Sequence, residues 1–532
     1  MRKLKVVVCD HIHQKGLNLL QKDSEIDYVY AANEDKTKLL DIVSDADLVI
    51  TRSSTDIDDK FLNAIKNLKG IVRAGVGVDN VDIEGCSKKG IVVMNVPTAN
   101  TLAAVELTMA HLLSCARSFP YAHSELKDKR VWKRENWYGT ELAGKTLGII
   151  GFGNIGSRVG IRAKALEMEV LAYDPYIPSS KATDLGVEYV KKDNFNKILE
   201  CDFITIHTPK NRETIGMVGE NEIAKMKDGV VLINCARGGL YDEDALYDGL
   251  KSGKIKFAGI DVFSKEPATE HKLLDLNNIT VTPHLGANTL ESQERIAIQA
   301  AEGAIQAVKG ISYPNALNLP IKESELPNFV KPYLELVQKI AFLSEQVIKD
   351  KGAIKSIKVS AEGEINGFLE SLSTFALVGA LSEALGDNIN YVNATHVAED
   401  REVKVKTEKL STHSGYENKI IVKLTTENDV ITIAGTVFED NKQRIIEING
   451  FDLDITPKGK MIFFNNSDVP GVIGDVGTIL AKHSINISDF RLGRDNHNQA
   501  LAIIMVDDEV NKQVLDELNA LKTCLGIAFV EI

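Results

Sequence analysis

The sequence predicts an α/β protein whose first half forms two doubly wound parallel sheets and whose second half forms two smaller α+β units. Three observations carry this. Short β-branched runs alternate with helical stretches up to about residue 95; the same rhythm resumes over 145–284; and after about 317 the pattern changes to alternating strands that close in a β-α-β-β-α-β order. Strands that alternate with helices lie parallel and are covered on both faces, which fits their near-continuous apolar composition.

The first rhythm consists of KVVV (5–8), ADLVIT (46–51), GIVRAG (70–75) and GIVVMNV (90–96). A long helix follows from Thr98, with Leu102, Val105, Met109 and Leu112 at steps that keep one apolar face, and it can carry the chain into a second domain. The second rhythm runs KTLGIIG, EVLAYD (169–174), FITIHTP (203–209), VVLINCA (230–236), FAGIDVF (257–263) and ITVTPH (279–284). Helix is expected from Leu285 to about Lys309, and a boundary near 317, after Tyr313-Pro314-Asn315, before a Pro- and Glu-containing stretch through Pro332. Residues 318–457 combine the helix FALVGALSEAL (375–385) with strands such as IIVKL and VITIAGTVF, and 458–532 carry the ferredoxin-like order from KMIFFNN.

Composition narrows the function. With 62 Lys+Arg against 75 Asp+Glu the net charge is -13, which argues against a nucleic-acid or anionic-membrane surface, so an anionic substrate must meet locally clustered arginines. The six cysteines are widely spaced with no C-x-x-C pair, as in a reducing cytoplasm. The apolar run Val6 to Val8 is far too short for a signal sequence, and no segment reads as a membrane span. No His, Cys or Asp spacing suggests a metal site.

Gly151, Gly153 and Gly156 form G-x-G-x-x-G directly after a strand and open a helix whose Ile155, Val159 and Leu166 share a face. The first glycine permits a tight turn, the second lets amides approach a pyrophosphate, and the third allows close helix–strand packing in a Rossmann-like lobe. The next strand ends at Asp174, 18 residues after Gly156, where a carboxylate can accept both ribose hydroxyls of NAD and repel the 2′-phosphate of NADP.

Hydride transfer from an alcohol needs a base for the hydroxyl proton and a cation for a carboxylate. Arg237, in CARGG after a strand, can fork onto a carboxylate, with Gly238 and Gly239 making the turn. His284 ends strand 279–283, where open α/β sheets place ligands, and Glu266 of SKEPA can orient its imidazole. Alone, such a histidine is more often structural and such a glutamate a loop residue. His207 reads as packed beside the cofactor and Cys235 as a small packed residue. Arg52 in VITRS and Arg73 in VRAGVG end successive strands of the first lobe, so both can point into one cleft.

In their order, GFGNIG, YDP, HTP, NCARGG, DVFSKEP and PHLGA resemble the D-2-hydroxyacid dehydrogenase family over 1–316. RAGVGVDNVD, GIVVMNVPTAN and WKRENWYGTELAGKTLGIIG are similar to its phosphoglycerate dehydrogenase branch. GTVF (435–438), INGFDLDITPKG and NSDVPGVIGDVG…INISDFRLGR resemble that branch's intervening regulatory domain and ACT domain. One departure is Val76, where relatives place a threonine.

The resemblance implies a split substrate-binding domain (1–98 with 286–316), an NAD-binding domain (99–285), an intervening domain (317–457) and an ACT domain (458–532). It implies Arg237 as the substrate cation and His284 with Glu266 as the acid–base pair. Around the cofactor it sets Asn154, Ile155, Thr208, Cys235, Ala236, Asp261 and Gly286, and around the substrate Ala74, Gly75 and Asn100, with Arg134 reaching over from a neighbouring subunit. The implied reaction is NAD-dependent oxidation of 3-phospho-D-glycerate to 3-phosphohydroxypyruvate, the first step of phosphorylated L-serine biosynthesis, by a homodimer or homotetramer. L-Serine is the implied effector: the turn after KMIFFNN, with Asn466, Asp468, Pro470 and Gly471, can expose helix N-terminal amides to a carboxylate, Asp468 can meet the ammonium, and Asn486 of a second ACT domain can add an amide. The alternatives are a hydroxypyruvate or glyoxylate reductase using the same residues, and a non-enzymatic NAD-sensing protein like the corepressors that share this core.

Overall fold

In the first lobe, strands β1 (Leu4–Val8), β2 (Ile26–Tyr30), β3 (Leu48–Thr51), β4 (Gly70–Arg73) and β5 (Val92–Asn95) form a parallel sheet of order β2-β1-β3-β4-β5. The computed structural model describes residues 2–532 apart from 321–325, 349–351, 412–413 and 496, so part of the Pro- and Glu-containing stretch lies outside the described residues. β2 was not foreseen from the sequence. As an edge strand, IDYVY buries only Ile26 fully and so lacks the apolar run of its neighbours. The helix Leu290–Val308 returns to this lobe after the second sheet. It starts where the Thr289 side chain accepts from Ser292 N–H, and it packs Ala297, Ala300, Ala301 and Ala304 against helix Gln14–Lys22 and strands β3 and β4. Asn318 then ties the chain to β5, accepting from Val93 N–H at 2.9 Å and donating to Ile91 O at 2.9 Å.

The second lobe is a seven-stranded parallel sheet made of β6 (Thr146–Ile150), β7 (Glu169–Tyr173), β8 (Glu188–Tyr189), β9 (Phe203–Ile206), β10 (Val230–Asn234), β11 (Ile255–Ile260) and β12 (Ile279–Val281). Its order, β12-β11-β10-β9-β6-β7-β8, reverses direction at β6, so a crevice opens beyond the carboxyl ends of β6 and β9. Helix Thr101–Arg117 links the lobes, with Val105, Met109 and Leu112 buried. Contrary to the expected stripe, Leu102 is 45% exposed, and Thr101 and Ala104 fill the buried positions of that turn. Likewise Leu166 caps helix Asn154–Ala165 from outside and is exposed, while Val159 carries the buried face.

In the second half, β13 (Ile354–Glu362), β14 (Lys404–Lys409), β15 (Lys419–Thr426), β16 (Val430–Phe438), β17 (Lys442–Ile448) and β18 (Phe451–Ile455) form a mixed sheet of order β14-β13-β15-β16-β17-β18. β13 and β14 are its parallel pair. It is covered by helices Val330–Val347 and Leu369–Leu385. The sequence reading found no segment approaching a membrane span. Yet the helical stretch Glu364–Leu385 has the length and apolarity to cross one, and its apolar part is mostly buried inside the protein. A helix apolar on all sides is what a core position between a second helix and a sheet demands.

β19 (Lys460–Ser467), β20 (Ile487–Arg494), β21 (Gln499–Val506) and β22 (Cys524–Glu531) form an antiparallel sheet of order β20-β21-β19-β22. One face packs on helices Val472–Lys482 and Lys512–Asn519. The other face, through Met461, Phe463, Leu501, Ile503 and Val530, joins the core of the preceding unit. Because Phe463 is 2% exposed within this shared core, Phe463→Ala should cost about 3–5 kcal/mol. Chemical denaturation should show the two C-terminal units losing stability together, with the first 316 residues little affected.

Candidate functional site

At the end of β6 the chain turns through Gly151, whose φ of 88° is in the region open to glycine. A Cβ at Gly156 would lie 2.1 Å from Gly151 O, so only glycine lets the helix start this close to the strand. Around Gly153 nothing lies within 4 Å of a built Cβ, leaving open space in front of the helix amides of Asn154 and Ile155. Asp174 ends β7 beside this loop. Its Oδ2 accepts from Phe152 N–H at 2.9 Å and its Oδ1 from Tyr176 N–H at 3.0 Å, which fixes the carboxylate against the turn.

Across the crevice, Thr208 Oγ1 and His207 Nδ1 are buried without a hydrogen-bond partner. Burial pushes the His207 imidazole down to about 3, so it is neutral there. Open space before a helix N-terminus, a fixed carboxylate and two orphaned polar atoms together fit a bound dinucleotide.

Cys235 is buried, and burial raises its thiol far above the ordinary range, which favours the neutral thiol of a packed residue. Asn234, not singled out in the sequence, braces the next turn by donating to Arg237 O at 2.8 Å and accepting from Ala236 N–H at 3.0 Å.

His284 Nδ1 lies 2.7 Å from Glu266 Oε2, and Glu266 Oε1 accepts from Phe263 N–H at 3.0 Å. Burial alone would raise the Glu266 carboxyl. The hydrogen bonds from His284 and Phe263 and the charges of His284 and Arg237 outweigh it, holding the group below the usual glutamate range. His284 adopts φ 55°, uncommon for a non-glycine residue. Asp261 was expected to line the cofactor; instead its carboxylate is fully buried. It accepts from Thr282 Oγ1 at 2.6 Å, Leu285 N–H at 2.7 Å and Gly286 N–H at 2.9 Å, so it acts through the turn that it braces.

From the first lobe, Arg73 enters the same cleft with its Nε buried and unpartnered. Burial lowers it to about 10, and the nearby charges of Arg237 and Arg52 push in the same direction. Gly75 makes room for it: a Cβ there would stand 1.8 Å from Arg73 Nη1. Ala74 and Gly75 offer no free amide, since their N–H groups donate to Thr51 O and Arg73 O, and the Ala74 side chain is in the lobe core. Arg52 is set by Asp10, whose carboxylate accepts from Arg52 N–H and from Thr55 Oγ1. Asn100 begins helix Thr101–Arg117 without capping it, and its Oδ1 is buried and unpartnered. Arg134 lies exposed on a 3-10 turn, and no side-chain hydrogen bond or ion pair among the described residues links it to the cleft. Among the described residues no group of three His, Cys, Asp or Glu side chains is arranged to hold a metal.

A second cavity, of about 390 Å³, lies in the last unit and is lined by Asn466, Asp468, Pro470, Gly471 and Arg494 among others. Asp468 Oδ2 stands 3.3 Å from Arg494 Nε, a partner the sequence reading did not assign. Asn466 is buried and donates to Phe464 O and Ala500 O. Asn486 is at the other end of the sheet, donating to Asp507 Oδ2, so a single chain does not bring it to Asp468.

Residues 329–449 match the D-3-phosphoglycerate dehydrogenase intervening domain and 460–523 the ACT domain. Residues 109–286 match the NAD binding domain of D-isomer specific 2-hydroxyacid dehydrogenases. D-3-phosphoglycerate dehydrogenase of Archaeoglobus fulgidus is 36% identical over 534 residues, covering 99% of this chain and 100% of its own. The chain belongs to the D-3-phosphoglycerate dehydrogenase family. The Bacillus subtilis member is also 36% identical, covering 99% of each chain. Among solved structures, D-lactate dehydrogenase of Aquifex aeolicus, complexed with NAD and lactic acid, is 29% identical with a TM-score of 0.50, covering 58% of this chain and 96% of its own. Family membership makes the chain an NAD-dependent dehydrogenase acting on a small molecule, with an ACT domain of the kind that binds amino-acid effectors. Replacing Asp174 with Ala should narrow the preference for NAD over NADP, measured as the ratio of kcat/KM values for the two cofactors, because the carboxylate facing an added phosphate is gone.

Proposed function

We propose that this chain oxidises 3-phospho-D-glycerate to 3-phosphohydroxypyruvate with NAD, the first step of phosphorylated L-serine biosynthesis, and that L-serine inhibits it through the ACT domain. The observation that carries the reading is the convergence of Arg52, Arg73 and Arg237 beside the His284–Glu266 pair in a protein of net charge -13. A substrate with a phosphate at one end and a carboxylate at the other matches two groups of cations flanking a base. Arg237 takes the carboxylate and polarises the forming carbonyl, while Arg73 and Arg52 take the phosphate. Gly151, Gly153, Asn154, Ile155, Gly156, Asp174, Thr208, Cys235, Ala236 and Gly286 hold NAD, with Asp261 bracing the Gly286 turn. When bound, NAD supplies the hydride acceptor. Because His284 Nδ1 is committed to Glu266, Nε2 takes the hydroxyl proton as the C–H bond breaks. Asn100, with its unpartnered Oδ1, orients the substrate from the lobe junction.

His284→Ala should retain NAD binding while turnover falls on the order of 10²–10⁴-fold. Glu266 is held below the ordinary glutamate range, so its pairing with His284 persists through that range and is lost only as pH falls through the lowered value. The acid limb of kcat/KM that arises from Glu266 should therefore lie below the usual glutamate value, and Glu266→Gln should reshape it. Arg73→Ala should raise KM for 3-phosphoglycerate while hardly changing that for an unphosphorylated hydroxyacid. Equal efficiency on both substrates by the unaltered enzyme would instead favour a hydroxypyruvate or glyoxylate reductase.

For the effector, Asp468 and Arg494 present opposite charges to the two ends of a zwitterion, and Asn486 comes from a second copy in a cytoplasmic homodimer or homotetramer, within which Arg134 also reaches the neighbouring cleft. Serine must bind one arrangement of paired ACT domains more tightly than another to shift the rate. Asp468→Ala should relieve inhibition by millimolar serine and leave basal turnover unchanged; a wild type that serine neither slows nor stabilises against heat would remove serine as the ligand.

A further inference from the structure

The cleft holds one carboxylate to which neither the sequence nor the roles above give a part. Asp79 lies in the loop that follows β4 in the first lobe, and its Oδ2 stands 3.2 Å from Nε of Arg237, which follows β10 in the second lobe. We infer that Asp79 is a positioning residue for the dehydrogenation, holding the Arg237 guanidinium by its Nε edge across the cleft so that its Nη2 side faces the substrate carboxylate. The inference rests on the reading of Arg237 as the cation that binds that carboxylate.

The guanidinium is fixed along two edges. Asp79 meets Nε, and Nη1 donates to Ala236 O at 2.6 Å. Nη2 is left beside the loop backbone: a Cβ at Gly77 would lie 2.3 Å from Nη2 and 3.0 Å from Asp79 Oδ2. Glycine at 77 is thus what lets the guanidinium and the Asp79 carboxylate sit against the loop at once. An arginine anchored only at Nη1 can swing about its side-chain torsions, whereas one held at Nε as well presents a single face.

Charge argues the same way. Arg52, Arg73 and Arg237 lie close enough for Arg73 to feel the other two, and a carboxylate at Arg237 Nε offsets part of that gathering of like charge. The other carboxylates nearby are occupied: Asp10 with Arg52 N–H and Thr55 Oγ1, and Glu266 with His284 and Phe263 N–H. Asp79 is 58% exposed and its partner 25%, so the pair adds little to folding stability, and its removal leaves the fold intact. A small displacement of a substrate-holding arginine, by contrast, is costly to rate.

The test uses the full chain with 3-phosphoglycerate and NAD, comparing wild type with Asp79→Ala, Asp79→Asn, Arg237→Ala and the Asp79→Ala/Arg237→Ala double variant. It also measures the isotope effect with substrate deuterated at C2. Asp79→Ala should lower kcat/KM by roughly 10–100-fold with NAD affinity and thermal midpoint unchanged, and the isotope effect on kcat should grow as hydride transfer becomes slower. Asp79→Asn, which keeps an acceptor for Nε without the charge, should recover part of the loss. In the Arg237→Ala background, removing Asp79 should cost nothing further. Wild-type kcat/KM in Asp79→Ala, full additivity with Arg237→Ala, or a lowered KM at unchanged kcat (Asp79 acting as a competitor of the substrate) would each overturn the inference. An Arg237→Ala enzyme as active as wild type would overturn the underlying role of Arg237, and an inactive one beside an unimpaired Asp79→Ala would overturn this inference alone.

Discussion

Asp261 ends β11 with its carboxylate fully buried, surrounded by the Thr282 hydroxyl and the amides of Leu285 and Gly286, while its own carbonyl accepts from His284 N–H at 2.9 Å. These bonds hold the turn after β12, and with it His284 in a left-handed conformation that costs a non-glycine residue on the order of 1–3 kcal/mol. A backbone of that kind persists only where its surroundings over-determine it. The imidazole direction, its pairing with Glu266 and the Gly286 wall of the crevice all follow from this one buried group. Burial raises the Asp261 carboxyl, and the three hydrogen bonds work against that rise, so the brace is strongest in its charged form.

The second constraint is electrostatic. A chain of net charge -13 has a field that opposes anions, yet the cleft gathers three arginines at the ends of strands β3, β4 and β10. Parallel strands make this possible, because every strand of a lobe delivers its carboxyl end to the same edge of the sheet. Two lobes facing each other therefore bring residues more than 150 positions apart in sequence, Arg73 and Arg237, into one site. The gathered cations repel one another, and the geometry of the loops around Gly75 and Gly77 is what lets them coexist.

The C-terminal half is tied together differently. The ACT sheet uses both faces, one for its own helices and one for the core of the intervening unit, so the strand that carries Asn466 and leads to Asp468 also carries Met461 and Phe463 into that shared core. The intervening unit in turn touches the first lobe, where Asn390 donates to Gly90 O at 3.0 Å and Val392 is buried among that lobe's apolar residues. The ACT sheet is thus packed on the intervening unit, and the intervening unit meets the first lobe just before β5.

Much of this was legible in the sequence, for local physical reasons. The strand rhythm, the three glycines before a helix and the acid at the end of the following strand are short-range patterns, and each constrains backbone or ligand within a few residues. Arg237, Glu266 and His284 stood out because they follow strands. What stayed hidden depends on distant partners. The sequence could not show that Asp261 turns inward to brace His284, that Ala74 and Gly75 spend their amides internally, or that Leu102 and Leu166 fall outside their buried stripes, since burial is decided by what packs opposite. Nor could it show that Asp468 pairs with Arg494 or that Asp79 meets Arg237 across the cleft. The sequence by itself determined most of the core elements, though not the edge strand β2, and the strand ends where the candidate residues sit, because periodicity and turn chemistry are local. Only the tertiary structure decided which charges face each other, because a charge has no periodicity and its partner is chosen by the approach of elements far apart in the chain.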